Sequence, residues 1–266
     1  MPILCKFDVV PMSRSQFYEI DHLVMKHSFS IQNELGRLYD EHVYQIELLR
    51  RCTDSGIIVR SESEIVVSFE SFKKSYYLDA LMNCGSICEL KAVETLNGQH
   101  ESQLLNYLLL SNLQFGKLIN FSSPSVQYRF VTTTLNAINR MSYEVDDATW
   151  STEIPSGKFI REIVQNLLVD WGVYLDVNLY REAVCHFLGG DDVLMQPVNI
   201  FVNNYLVGHQ RLCCLDEETC LHISSTIRHF ESYKKQLLKI FEHTSLKQIQ
   251  WINFNRATVQ LITLKK

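Results

Sequence analysis

The chain has 266 residues, room for one large or two ordinary domains, and its 46% apolar and 21% charged residues are enough to build a core. The formal charge of −5 argues against a wholly basic nucleic-acid-binding surface, and no apolar run approaches the ~20 residues that span a bilayer. The start, MPILCKFDVV, lacks the charged opening and long apolar segment of a signal peptide, so a cytoplasmic protein is expected.

In chain order, a helical stretch comes first, over residues 16–49. Three short strands follow, near 62–69, 75–82 and 86–93, then an amphipathic helix near 99–111 and two strands at 114–121 and 126–134. Residues 141–158 are polar, lack periodicity and contain Asp146-Asp147, Pro155 and Gly157, which reads as a linker. A second helical stretch covers 159–187. Strands near 198–203, 205–214 and 219–224, a helix at 228–243 and strands at 247–254 and 257–264 complete the chain. Mixed strands broken by a helix imply an α/β or α+β sheet with helices on its faces.

Chemistry concentrates between Tyr76 and Tyr107. Side chains alternate along a strand, so Glu89 and Lys91 share a face. The strand is otherwise apolar, and unpaired charge is costly to bury, so these two must be paired, hydrated or metal-bound. Asn83-Cys84-Gly85 is short enough for a hairpin, which brings Asp79 beside Glu89. Two carboxylates and a lysine so placed can hold a divalent metal and activate a water; the plain alternative is a Glu89–Lys91 ion pair with Asp79 on the surface. Gln103 and Tyr107 lie one helical turn apart on a common face.

Other residues carry less. The eight cysteines read as free thiols, and the nine histidines form no His-x-x-x-His pair. Basic clusters at Arg50-Arg51, Lys73-Lys74 and Lys234-Lys235 read as solvated faces, and no aromatic-plus-basic stacking motif stands out.

The chain also resembles itself. Nineteen residues from Gln103 align without gaps with nineteen from Gln236, with seven identities. Upstream, LYDEHVYQIEL from Leu38 parallels LYREAVCHFLG from Leu179, and Tyr18-Glu19-Ile20 parallels Arg161-Glu162-Ile163. Three matches in order indicate two copies of one unit, spanning 1–140 and 159–266. In the second copy His222 and Ser224 stand opposite Glu89 and Lys91, and Gln210, Arg211 or Leu212 near Asp79. Glu182 and Gln236 match Glu41 and Gln103, and Ile240 replaces Tyr107. One competent and one degenerate copy are expected.

At these residues the first copy resembles the PD-(D/E)XK nuclease superfamily, and within it the GxxExxY family. The signature acid followed by Glu-x-Lys is matched by Asp79 and Glu89-Leu90-Lys91. The helical Glu and the Tyr three residues later are matched by Glu41-His42-Val43-Tyr44. The Gln-x-x-x-Tyr of the RecB-like branch is matched by Gln103 and Tyr107, and a GLLINF-like segment by GKLINF from Gly116. The resemblance covers about residues 15–135. It departs at Leu38, where the family has glycine, and at Tyr77-Leu78, where an arginine is frequent.

The resemblance implies an α/β, restriction-endonuclease-like fold, a mixed central sheet flanked by helices and here present twice in tandem. It implies Mg²⁺ or Mn²⁺ held by Asp79, Glu89 and the Leu90 carbonyl, since hard cations prefer oxygen ligands. Lys91 would position or deprotonate the attacking water, Glu41 would add a metal or water contact, and Gln103 and Tyr107 would orient Lys91 and a phosphate oxygen. The expected function is metal-dependent hydrolysis of DNA phosphodiester bonds. The alternative is a non-catalytic interaction or regulatory protein on the same fold. No membrane partner is expected, and the two copies could pair within one chain or across a homodimer.

Overall fold

The computed structural model describes residues 2–266, Pro155 by its backbone. The chain divides into two compact units, Met1–Asn139 and Arg140–Lys266.

The first unit opens with strand β1 (Ile3–Cys5) and two helices, α1 (Arg14–Leu35) and α2 (Glu41–Asp54). What reads in sequence as one helical stretch is cut at Gly36, whose φ of 76° ends α1. At the other end of α1, Ser13 and Gln16 form a capping box. Strands β2 (Val59–Arg60), β3 (Ser63–Phe69), β4 (Phe72–Leu78), β5 (Ala80–Met82) and β6 (Ser86–Lys91) follow, then helix α3 (Gly98–Ser111) and strands β7 (Phe115–Asn120) and β8 (Gln127–Thr132). Asn97 caps the start of α3 with its side chain, and left-handed Asn112 closes it.

The central sheet runs β2-β5-β6-β7-β8, with β6 and β7 parallel and the other neighbours antiparallel. A separate sheet, β1-β3-β4, holds the preceding hairpin. The stretch expected as one strand over 75–82 is therefore two, and Asp79 is the residue at which the chain passes between sheets. A buried cluster fills the face under α1 and α2, including Val24, Tyr44, Leu48, Cys88, Leu90 and Ile119. The opposite face of β7 takes α3 at close range. A Cβ on Gly116 would lie 3.0 Å from Leu104.

Helix α4 (Ala137–Arg140) lies at the division in the chain. The second unit contains β9 (Glu144–Thr149), α5 (Pro155–Trp171), α6 (Val177–Phe187), α7 (Asp191–Leu194), β10 (Met195–Val202), β11 (Tyr205–Cys214), β12 (Thr219–Ser224), α8 (Phe230–His243), β13 (Gln248–Asn255) and β14 (Thr258–Lys265). They form one sheet, β10-β11-β12-β13-β14-β9. Residues 141–158 are thus not a plain linker: they include β9, parallel to β14, and the first turn of α5. As an acidic edge strand, β9 has no apolar alternation to announce it.

The units repeat local detail. β6 and β7 pair in parallel with Glu89 opposite Leu118, and β12 and β13 with His222 opposite Trp251, 133 residues on. Asn120 Nδ2 donates to the Val93 carbonyl and to Gln127 Oε1, as Asn253 Nδ2 donates to the Thr226 carbonyl and to Gln260 Oε1. Tyr44 donates to the Gly36 carbonyl and stacks on Phe121, as Tyr180 donates to Gly172 and stacks on Phe254. The helices therefore correspond with a different offset from the sequence match. Counting from the two tyrosines, Val177, not Glu182, stands at the place of Glu41. In the strands, Cys213 opposite Leu221 puts Leu212 at the place of Asp79.

Candidate active site

The β5–β6 ladder stops at Ala80 opposite Cys88, because the chain leaves the sheet at Asp79. Beyond that point the edge of β6 is free, and the Asp79 side chain turns onto it. Asp79 Oδ2 accepts the Leu90 amide at 2.7 Å. The Lys91 carbonyl faces the other way and accepts from Phe121 N. Backbone groups alternate sides along a strand, so the Leu90 carbonyl lies on the same free edge as its N–H.

Glu89 is 1% exposed, and Lys91 Nζ donates to its Oε1 at 2.8 Å. Glu89 Oε2 is buried without a hydrogen-bond donor. Burial first, and then the Asp79 carboxylate, push the Glu89 carboxyl up to about 8 against the pull of Lys91. Burial also raises Asp79, whose side chain meets that of Glu89, although the Leu90 N–H and Lys91 oppose the shift. Burial works against the Lys91 ammonium, but Glu89, Glu41 and Asp79 outweigh it and hold the proton on.

Glu41, the first residue of α2, arrives from the facing helix. Its carboxyl accepts from the Ala92 amide and interacts with both Lys91 and Asp79. Gln103 Nε2 donates to the Tyr107 hydroxyl at 2.9 Å, so these two hold each other. The Tyr107 phenol interacts with Glu89, Asp79 and Lys91, and its ring meets Tyr76 edge-on. All seven residues singled out in sequence thus belong to one region: Asp79, Glu89, Leu90, Lys91 and Glu41 in direct or electrostatic contact, with Tyr107 carrying Gln103 beside them.

Two further residues escaped the sequence reading. Gln45, one turn after Glu41 and buried, donates to the Asp79 main-chain carbonyl at 2.9 Å and to Glu62 Oε1 at 3.4 Å. Glu62 has a left-handed backbone, φ 47°, and its charge also raises Asp79. The helical i, i+4 spacing of Glu41 and Gln45 was the available signal. An aromatic-plus-basic cluster also exists, assembled from separated segments. Lys117, 2% exposed, pairs with Asp21 and lies over the rings of Tyr128 and Phe130 at 4.3 and 4.6 Å.

Three carboxyl groups face one ammonium here, and a buried oxygen of Glu89 lacks a hydrogen-bond partner. That donor set fits a hard divalent cation, with Asp79, Glu89 and the Leu90 carbonyl as oxygen ligands. Among the described residues no group of three or more His, Cys, Asp or Glu side chains forms a metal-holding cluster. The proposed set needs only two such side chains. The eight cysteines are free thiols.

Residues 18–131 match the model of the PD-(D/E)XK nuclease superfamily, a stretch that includes every one of these site residues and ends within the first unit. No curated protein and no solved structure matches the chain. Among the described residues no helix is long and apolar enough to cross a membrane.

Proposed function

We propose that the first unit is a metal-dependent nuclease of the GxxExxY, RecB-like kind, hydrolysing DNA phosphodiester bonds with Mg²⁺ or Mn²⁺. The observation that carries this reading is the buried Glu89–Lys91 pair set beside Asp79 on an open strand edge, with Glu89 Oε2 left without a donor. Asp79, Glu89 and the Leu90 carbonyl would hold the ion. When bound, it would supply a Lewis acid that polarises the phosphate and lowers the pKa of a water. The Lys91 ammonium, fixed by Glu89, would orient that water and offset negative charge developing on the phosphate oxygens. Glu41 would accept from the water or hold it through the ion's hydration. The Tyr107 hydroxyl, fixed by Gln103, would donate to a non-bridging phosphate oxygen.

We propose further that the second unit is a tandem copy without catalytic residues. Val177, Leu212, His222 and Ser224 occupy the places of Glu41, Asp79, Glu89 and Lys91, which supports a positioning role. Purified chain should cleave single- or double-stranded DNA only with Mg²⁺ or Mn²⁺, and Lys91→Ala should abolish cleavage without changing the circular dichroism spectrum. Equal cleavage by both proteins would mean that the activity belongs to a contaminant.

The second reading is a non-catalytic interaction or regulatory protein. It draws on the neutralised second unit and on the net charge of −5, which provides no general attraction to DNA. It requires that no cleavage be detected with either metal on any DNA tested.

A further inference from the structure

Helix α3 carries a third polar side chain on the face that holds Gln103 and Tyr107. His100 stands three residues before Gln103 and seven before Tyr107, the i, i+3, i+7 spacing of a single helical stripe. The Asn97 amide donates to His100 Nδ1 at 3.2 Å and so closes the cap at the start of the helix. A ring nitrogen that accepts a hydrogen bond carries no proton, so the neutral imidazole bears its hydrogen on Nε2. None of the hydrogen bonds among the described residues uses that N–H. Burial, and then the Lys91 ammonium, lower the His100 pKa, which keeps the ring neutral and puts it within electrostatic reach of Lys91.

The second unit shows where a side chain at this position goes. Helix α8 corresponds to α3 residue by residue, because the buried Leu104, Leu108 and Leu113 recur in the same spacing as the buried Leu237, Phe241 and Leu246. Tyr233 therefore stands at the place of His100. Its hydroxyl meets Nε2 of His222, which stands at the place of Glu89, at 2.7 Å. A side chain in the first turn of this helix thus reaches across to the strand position that in the first unit holds the metal-ligand candidate. In the second unit these two side chains satisfy each other. In the first, Glu89 pairs with Lys91 instead, and the His100 Nε2–H is left for a ligand. An α-helix rises 1.5 Å per residue, so His100 lies about 10 Å along α3 from Tyr107. Donors that far apart suit two successive phosphate groups of a strand rather than one.

We propose, resting on the reading of this site as a nuclease, that His100 is a substrate-binding residue whose Nε2–H donates to the phosphate flanking the scissile one. The ligand class is therefore a polynucleotide strand, not an isolated phosphodiester. A neutral N–H can bind an anionic oxygen without setting a second positive charge beside Lys91. The contact holds the strand and takes no part in the bond that breaks, so it acts on binding more than on turnover.

The test compares the full chain with its His100→Ala and His100→Gln variants on two substrates in Mn²⁺. One is a single-stranded oligonucleotide; the other is bis(4-nitrophenyl) phosphate, a diester with no flanking phosphate. Oligonucleotide binding is also read by fluorescence polarisation with Ca²⁺ in place of Mn²⁺. His100→Ala should bind the oligonucleotide about tenfold more weakly and raise KM for its cleavage by a like factor, with kcat little changed. Its hydrolysis of the small diester should equal that of wild type. His100→Gln keeps both an acceptor for the Asn97 amide and an N–H donor, so it should restore most of the affinity. Wild-type behaviour of His100→Ala on the oligonucleotide overturns the proposal, as does a His100→Gln no better than His100→Ala. So does an equal loss on both substrates, which would mean that the residue acts on the reacting centre or only caps the helix. A wild type that neither binds nor cleaves the oligonucleotide overturns the nuclease reading itself, and this inference with it.

Discussion

Strands β6 and β12 hold the same place beside their parallel neighbours, one charged and the other neutral. Each lies parallel to its following strand in one register, beside an asparagine that ties down the loop beyond. On β6 the positions at issue hold Glu89 and Lys91, and an oxygen of Glu89 has no donor. On β12 they hold His222 and Ser224, and both are satisfied. His222 Nε2 meets the Tyr233 hydroxyl at 2.7 Å, and Ser224 accepts from Trp251 Nε1 at 2.8 Å and donates to Asn253 at 3.0 Å. Phe230 stacks on Trp251. At these positions the second unit holds a closed aromatic and hydrogen-bonded network in place of charge. The first unit retains an expense that packing alone would remove, which supports the proposal that the site lies there.

The comparison breaks most sharply at Lys91. Lys91→Ala should lower the cleavage rate by about 10²–10⁴-fold, measured under single-turnover conditions with Mg²⁺. In the second unit His222→Glu places an unpaired carboxylate where Tyr233 and Trp251 close the space, and should cost about 3–5 kcal/mol in thermal unfolding without adding activity.

Glu89→Gln sharpens the contrast through pH. The folded-state pKa of Glu89, about 8, lies above its unfolded value of 4.5. Its contribution is therefore favourable below the unfolded pKa and is lost as pH rises through 8. In chelator, wild type should lose stability between pH 5 and 8 at this site. Glu89→Gln should flatten that slope and be more stable at pH 8, on the order of 1–3 kcal/mol. Thermal melts across that range measure it. The smallest effect belongs to Gln45. Gln45→Leu should weaken Mn²⁺ binding by about tenfold, because it releases the Asp79 main chain without touching a ligand.

Strand alternation was enough to put Glu89 and Lys91 on one face, and a short hairpin enough to bring Asp79 to them. The break at Asp79 was not legible, because 75–82 has continuous strand composition and only tertiary pairing splits it between two sheets. Gln45 and Glu62 were missed for a related reason: they act on the Asp79 backbone and side chain from helix and loop positions with no motif of their own. The upstream helices were matched at the wrong offset, since letter identity favoured Glu182, whereas the Tyr180–Gly172 bond fixes the correspondence. The Lys117 cluster joins residues about 100 positions apart, beyond any local pattern.

The central claim is that one metal site exists per chain, in the first unit. Calorimetric titration of Mn²⁺ into wild type and Asp79→Ala tests it most directly. The account predicts one site per chain in wild type and none in the variant. No binding to wild type at millimolar metal, or equal binding by the two proteins, would contradict it.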